Sequence, residues 1–495
     1  MLNVDDLRRW QNKIEGHARD YGLDFFQQVF ELVDYRQLNE VAAYGGFPVR
    51  YPHWSHGMEF DRLNKGYQYG LQKIYEMVIN NDPCYAYLMK ENDIIDQKLV
   101  MCHVYGHNDF FKNNIWFSKT NRKMIDEIAN HASRIRRYID LYGLEEVEDF
   151  LDLCLSLDRL IDVHGQFIER RRPGFEAPED DGVSAPPDFR FRAKEYMDAF
   201  INPEEVIAKQ QEAYEEARRA KKSFPVNPER DILLFLMHYA PLKGWQRDIL
   251  GMVRDESYYF APQWQTKVMN EGWATYWHSR MMTERVMDDS EIVDFADHHS
   301  GTVGGQGFNP YKIGLYLFRD IEDRWNRGRF GEEYEACDNY EERKRWDRQL
   351  GLGRDKIFEV RKIYNDVTFI DTFLTEEFCM EHRLFVYQYD LDKDQYVIAS
   401  REFEKIKKHL LAQLTNGGQP LISIVDADFE GRGELHLEHA FEGIPLDIRY
   451  AQATVQNLQR IWQRPVHVDT VYQDKRIRIR CDGDEATVEQ LGEAA

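Results

Sequence analysis

The stretch Met269-Asn-Glu-Gly-Trp-Ala-Thr-Tyr-Trp-His278 places the hardest condition on how this chain folds. Met269, Trp273, Trp277 and Met281 recur at helical spacing and predict a buried helix, yet the same helix carries Glu271. A carboxylate in such surroundings is costly unless it is paired or bound to a metal ion. Glu271, Thr275 and His278 fall at i, i+4 and i+7, so they share one side of the helix. The fold must bring a partner to that side.

A second apolar helix offers one. Ile95, Leu99 and Val100 lead into His103-Val-Tyr-Gly-His107, where two histidines at i and i+4 project from one face and can share one ion. Alone, such a pair fits a metal site and a pair of hydrogen-bonded core histidines about equally well. Two histidines and a carboxylate suit a divalent ion, with zinc the expected one, and they also describe the facial triad that holds iron or manganese. His278 as a fourth ligand would close a tetrahedral site and make it structural, whereas three protein ligands leave a position for water.

Charge and cysteine usage exclude several other classes. Lys+Arg 64 against Asp+Glu 87 in 495 residues gives a net charge of −23, which a phosphate backbone repels. The basic clusters at Arg170 to Arg172 and Arg218 to Lys222 lack interleaved aromatics, so no nucleic-acid partner is expected. Six scattered cysteines without a CxxC pair predict reduced thiols in a cytoplasmic protein and exclude a zinc ribbon. The apolar run from Ile232 to Met237 is too short to span a bilayer, and no export segment is visible. There is no GxSxG elbow and no cysteine in a low-pKa setting, so serine or cysteine nucleophilic catalysis has no support.

From Val4 to about His164 the apolar residues follow helical spacing, as in Phe25, Val29, Leu32 and Val33, then Leu71, Ile74, Tyr75 and Val78. Packed helices are expected there. Pro173, Pro178, Pro186 and Pro187 in an acidic stretch predict a surface loop near 172–190. Helices follow over 203–221, 231–237, 266–285 and 310–327, the last with Asn309 and Pro310 as cap and first-turn pair. After Glu381 the pattern changes to strands near 384–389 and 396–399, a helix over 402–414, strands near 421–425 and 434–439, a helix over 450–462, and strands near 466–471 and 476–480. The expected fold is mainly α, with a large helical body over 1–383 and a smaller C-terminal α+β module over 384–495.

Weaker candidates complete the inventory. His53 and His56 in Pro52-His-Trp-Ser-His-Gly57 fit a pocket mouth or, more simply, a structural turn. His164 before Gly165 fits a core or cap role. His298-His299-Ser-Gly-Thr-Val-Gly-Gly-Gln-Gly307 reads as a glycine-rich loop running into a helix with Lys312 in its first turn; a flexible loop is favoured over a phosphate cradle.

The two helices resemble both halves of the Glu-zincin aminopeptidase motif, in order: His103-Val-Tyr-Gly-His107-Asn-Asp-Phe-Phe-Lys-Asn113, and Asn270-Glu-Gly-Trp-Ala-Thr-Tyr276. That resemblance implies a zincin-like body in which Glu271 is the third zinc ligand, with Glu271, Asp109 and Tyr276 as candidate catalytic residues. Two features depart from it. Val104 occupies the position of the general base and cannot hold a proton, and the separation of His107 from Glu271 is much longer. Asp109, Glu40 and Glu59 are the alternative bases.

Over nearly its full length the chain resembles the SpoVR family. The residues are Tyr51-Pro-His-Trp-Ser55, the block from His103 to Asn114, Met269 to His278, His299-Ser-Gly301 with Asn309-Pro-Tyr-Lys312, and Glu434-Leu-His-Leu-Glu-His439. The resemblance implies a bacterial cytoplasmic protein linked to formation of the spore cortex or to stress physiology, alongside a PrkA-type serine kinase and a YeaH/YhbH-type protein. Two functions are open: a metal-dependent amide or peptide hydrolase, and a non-catalytic scaffold acting with those partners.

Overall fold

A computed structural model describes residues 4–68, 76–168, 203, 207–209, 224–303, 308–390 and 394–493. The acidic proline-rich stretch near 172–190 and most of the helix expected over 203–221 lie outside them. The chain is mainly helical and ends in a five-stranded sheet. No described helix is long and apolar enough to cross a membrane. Contacts divide it into two compact units, Met1–Leu144 with Tyr258–Gly418, and Glu145–Ser257 with Gln419–Ala495.

The first unit corrects the all-helical expectation for the N-terminal stretch. Gln28–Val33 (β1), Glu76–Ile79 (β2) and Cys84–Met89 (β3) form a sheet in the order β1-β3-β2, with β1 parallel and β2 antiparallel to β3. The spacing of Phe25, Val29, Leu32 and Val33 fits a helix, but Gln28-Val-Phe-Glu-Leu-Val33 is rich in strand-forming residues, and six positions are too few to separate the two periods. Burial along nearly all of β3 follows from its central place. The hairpin Val386–Asp390 (β4) with Gln395–Ser400 (β5) and the helix Phe403–Leu414 fall in this unit, although composition groups them with the C-terminal module.

Three helices make the centre of the unit: the histidine helix Ile94–Asn113, the glutamate helix Lys267–Met281, and Pro310–Arg327. The first two are buried on nearly every side, which explains their weak amphipathicity. Each start is capped by a side chain that satisfies free N–H groups. Asp93 accepts from the Asp96 amide, Asp366 accepts from the Val268 and Met269 amides at 2.8 Å each, and Asn309 accepts from Lys312.

Glycines set how closely these helices approach. A Cβ on Gly272 would lie 2.4 Å from Gly314 Cα, and one on Gly106 would lie 2.7 Å from Ala274 Cα. Backbone therefore meets backbone at both crossings, and Trp273 and Trp277 fill the space beside them against Phe318, Phe358 and Tyr21. A further helix, Ile292–Val303, runs through 298–303, which the sequence predicts as loop; 304–307 lie outside the described residues. Four glycines in ten residues suggest a loop, but three of those four follow the helix end.

The second unit carries the five-stranded sheet in the order β10-β9-β8-β7-β6. Its strands are Ile422–Phe429 (β6), Glu434–His439 (β7), Val466–Tyr472 (β8), Lys475–Cys481 (β9) and Ala486–Glu493 (β10). The helix Ile448–Trp462 makes the crossover between parallel β7 and β8, and buries Val455, Leu458 and Ile461. β10 is an edge strand of mostly exposed residues, which the apolar pattern does not mark.

Candidate metal centre

The close crossing of the histidine and glutamate helices places His103 and His107 opposite Glu271, and β2 adds Glu76. One ligand atom from each lies within 4.8 Å of all the others. Glu76 Oε1 is 3.2 Å from His103 Nε2 and 3.7 Å from His107 Nε2; Glu271 Oε2 is 3.4 Å and 3.5 Å from the same two atoms. Donors bound about 2.1 Å from one tetrahedral ion are separated by roughly 3.4 Å, so these four spacings match the edges of such a cage. Glu76 Oε2 is buried with no hydrogen-bond partner among the described residues. Glu76 thus turns Oε1 to the two imidazoles and leaves Oε2 unpartnered, a buried charge that a cation beside Oε1 would offset, so the residues fit a divalent ion.

Outer contacts fix the imidazoles. His107 Nδ1 donates to Asn270 Oδ1 at 2.8 Å, which leaves Nε2 facing the carboxylates. His278 lies with its Nδ1 2.7 Å from His103 Nδ1. It therefore orients His103 from behind, on the side away from the four convergent atoms. Lys267 Nζ sits 2.5 Å from Glu271 Oε1 and occupies the oxygen that does not face the histidines. The Tyr311 ring lies nearly parallel to His103, 6.3 Å between centroids.

The electrostatics follow from two carboxylates and two imidazoles in one buried site. Burial opposes a charge on His107, but Glu271 and Glu76 outweigh it and raise the group to about 10. Burial also opposes the Glu271 anion, yet His107, His103 and Lys267 hold it well below the usual carboxylate range. Burial, with Glu271 and Glu76, pushes the Tyr311 hydroxyl up and keeps it protonated.

The other candidates sit elsewhere. Asp109 accepts from Trp273 Nε1 and the Asp24 amide at 2.8 Å each and pairs with buried Arg361 at 3.1 Å, a clamp between segments. Tyr276 donates to Glu322 at 2.6 Å in a separate cavity. Glu59 forms an exposed ion pair with Arg62. Glu40 lines a cavity of about 470 Å³ together with His53 and His56. His164 is exposed at the start of a short 3-10 turn. Sequence reasoning did not find Glu76, Lys267 or Tyr311. Glu76 is one acid on a four-residue strand and carries no periodic signal, whereas Lys267 stands at i−4 from Glu271 and was open to the ion-pair spacing rule.

Comparison with known proteins places these features in a family. Residues 2–419 match the family described as SpoVR like protein, and residues 420–473 match the SpoVR-like C-terminal domain. A protein of Escherichia coli (strain K12), "Uncharacterized protein YcgB", is 31% identical over 507 aligned positions that cover 95% of this chain and 93% of that protein. No solved structure matches the chain. On a match that spans the histidine and glutamate helices and runs into the terminal sheet as far as β8, the chain belongs to the SpoVR family.

Proposed function

We propose that this chain is a divalent-metal-dependent hydrolase of amide or peptide bonds, with His103, His107 and Glu271 holding the ion. The observation that carries the reading is the set of donor spacings between 3.2 and 3.7 Å, beside a buried Glu76 oxygen without a partner. When bound, such an ion supplies Lewis acidity and activates water at neutral pH. The chain's own residues do the rest. Asn270 and His278 fix the two rings, and Lys267 holds one Glu271 oxygen so that the other faces inward. Glu76 does what Val104 cannot, because its second oxygen can take a proton and return it. The Tyr311 hydroxyl donates to charge developing on the attacked carbonyl oxygen.

The likeness of the two helices to the Glu-zincin motif supports this assignment of ligands, and zinc is the proposed ion. A second carboxylate makes the donor set harder, which favours iron or manganese as the second reading. Elemental analysis of tag-free protein tests the site: about one equivalent is expected in the natural chain and none in His103→Ala/His107→Ala. Muropeptides are the first substrate to assay, on the cortex association that the family resemblance implies. Glu76→Gln is expected to retain the ion and lose cleavage. Loss of the ion in that variant, with no cleavage by the natural chain, would make the site closed and structural and end the hydrolase reading.

A further inference from the structure

A cavity of about 500 Å³ in the first unit shares no lining residue with the four convergent donors. Both acids in its wall are already engaged. Glu322 takes Arg280 Nη1 at 3.1 Å on one oxygen and the Tyr276 hydroxyl at 2.6 Å on the other. Glu284 takes Arg280 Nε at 3.0 Å and the Tyr21 hydroxyl at 2.5 Å. Arg280 is thereby neutralised twice over, and it donates to the Tyr276 oxygen as well.

Arg319 is held differently. Its Nη2 donates to Ser279 Oγ at 3.1 Å, and Ser279 in turn donates to the Tyr276 backbone oxygen at 2.9 Å. An anchored hydroxyl orients a guanidinium without neutralising it. Among the described residues no carboxylate forms an ion pair with Arg319. The cavity thus presents one uncommitted cation in a fixed direction beside the Phe295 ring.

A guanidinium fork matches a planar carboxylate, and one free positive charge flanked by two glutamates disfavours a phosphate dianion. The volume is that of a small-molecule site. We infer that this cavity binds a small organic monocarboxylate, its anionic end on Arg319 and its apolar body on Phe295. The site stands independently of the metal reading. It also gives Tyr276 a task, since Tyr276 joins the two engaged acids to the serine that aims Arg319.

Isothermal titration of the full chain with N-acetyl-phenylalanine tests this, with and without chelator. Saturable binding is expected, unchanged by the chelator and weakened at least about tenfold in Arg319→Gln and in Phe295→Ala. N-acetyl-phenylalanine amide is expected to bind at least about tenfold more weakly than the acid. Arg319 is exposed, so Arg319→Gln keeps the thermal midpoint of the natural chain, which separates lost binding from lost folding. Equal binding of acid and amide, equal binding by Arg319→Gln, inorganic phosphate competing as well as the acid, or no saturable binding would each overturn the proposal.

Discussion

Among the described residues, two places combine two histidines with two carboxylates. In the first unit the donor atoms of Glu76, His103, His107 and Glu271 converge, and Lys267 touches only the outward oxygen of Glu271. In the terminal sheet, His436 on β7 and His467 on β8 are register partners, set against Asp469 at 3.2 Å and Glu434 at 2.7 Å. There each acid already has its own guanidinium, Arg478 on Asp469 and Arg432 on Glu434. Among the described residues only the first set gathers its donors within 4.8 Å. The residue types are the same; what differs is whether a fixed cation has already satisfied the carboxylates and whether the backbone aims them at one point. A helix crossing does aim them, whereas neighbouring strands hold their side chains side by side.

The largest effect that separates the two places is metal content. His103→Ala/His107→Ala should empty the protein of bound ion, and His436→Ala/His467→Ala should leave it unchanged; equal loss from both would erase the contrast. The next effect concerns the scaffold. Asp109→Asn strands Arg361, which is only 2% exposed, and should cost about 3–5 kcal/mol of unfolding free energy by denaturant titration. A smaller loss would mean that Arg361 finds water on relaxing. Gly272→Ala should push the glutamate helix off Pro310–Arg327 at a cost of about 1–3 kcal/mol, and metal affinity should drop with it. Metal affinity unchanged in a destabilised variant would uncouple the crossing from the site.

The smallest effect is a pH response of the terminal sheet. Arg432, aided by His467 and opposed by burial, holds Glu434 down at about 2 against an ordinary 4.5. A depressed folded-state value stabilises the fold above about pH 4.5, and that contribution is lost as the pH falls from there through about 2. Glu434→Gln should flatten this part of the acid-unfolding curve by a few degrees in thermal midpoint. An identical curve for natural and variant chains would show that the carboxylate is as well solvated unfolded as folded.

How far the sequence discloses these features depends on their range. His103, His107 and Glu271 are visible because helical spacing and apolar neighbours make a polar residue conspicuous, and the three do lie together in the fold. Strands β6 to β9 and the helix Ile448–Trp462 are legible because their apolar spacing is regular, whereas the exposed edge strand β10 is not. Glu76 is invisible because its strand is four residues long and its partners come from distant segments. His278 shares a face with Glu271, but which of its nitrogens meets which neighbour depends on the crossing angle of the two helices, which no single helix encodes. Asp109 looks like a reactive acid by position and turns out to be spoken for by Trp273 and Arg361.

The glycine crossings bear on a property of a different kind, the size of cation the proposed site would accept. Where backbone touches backbone there is no side chain to repack, so the separation of the histidine and glutamate helices is set by the main chain itself. Calcium asks for six to eight oxygens at about 2.3–2.6 Å, and hence for a broader and more yielding cradle. A donor set with four of its six separations at 3.2 to 3.7 Å, held between closely packed helices and a strand, would discriminate by radius before ligand chemistry enters. The protein would then ignore an abundant large divalent ion in favour of a scarce small one.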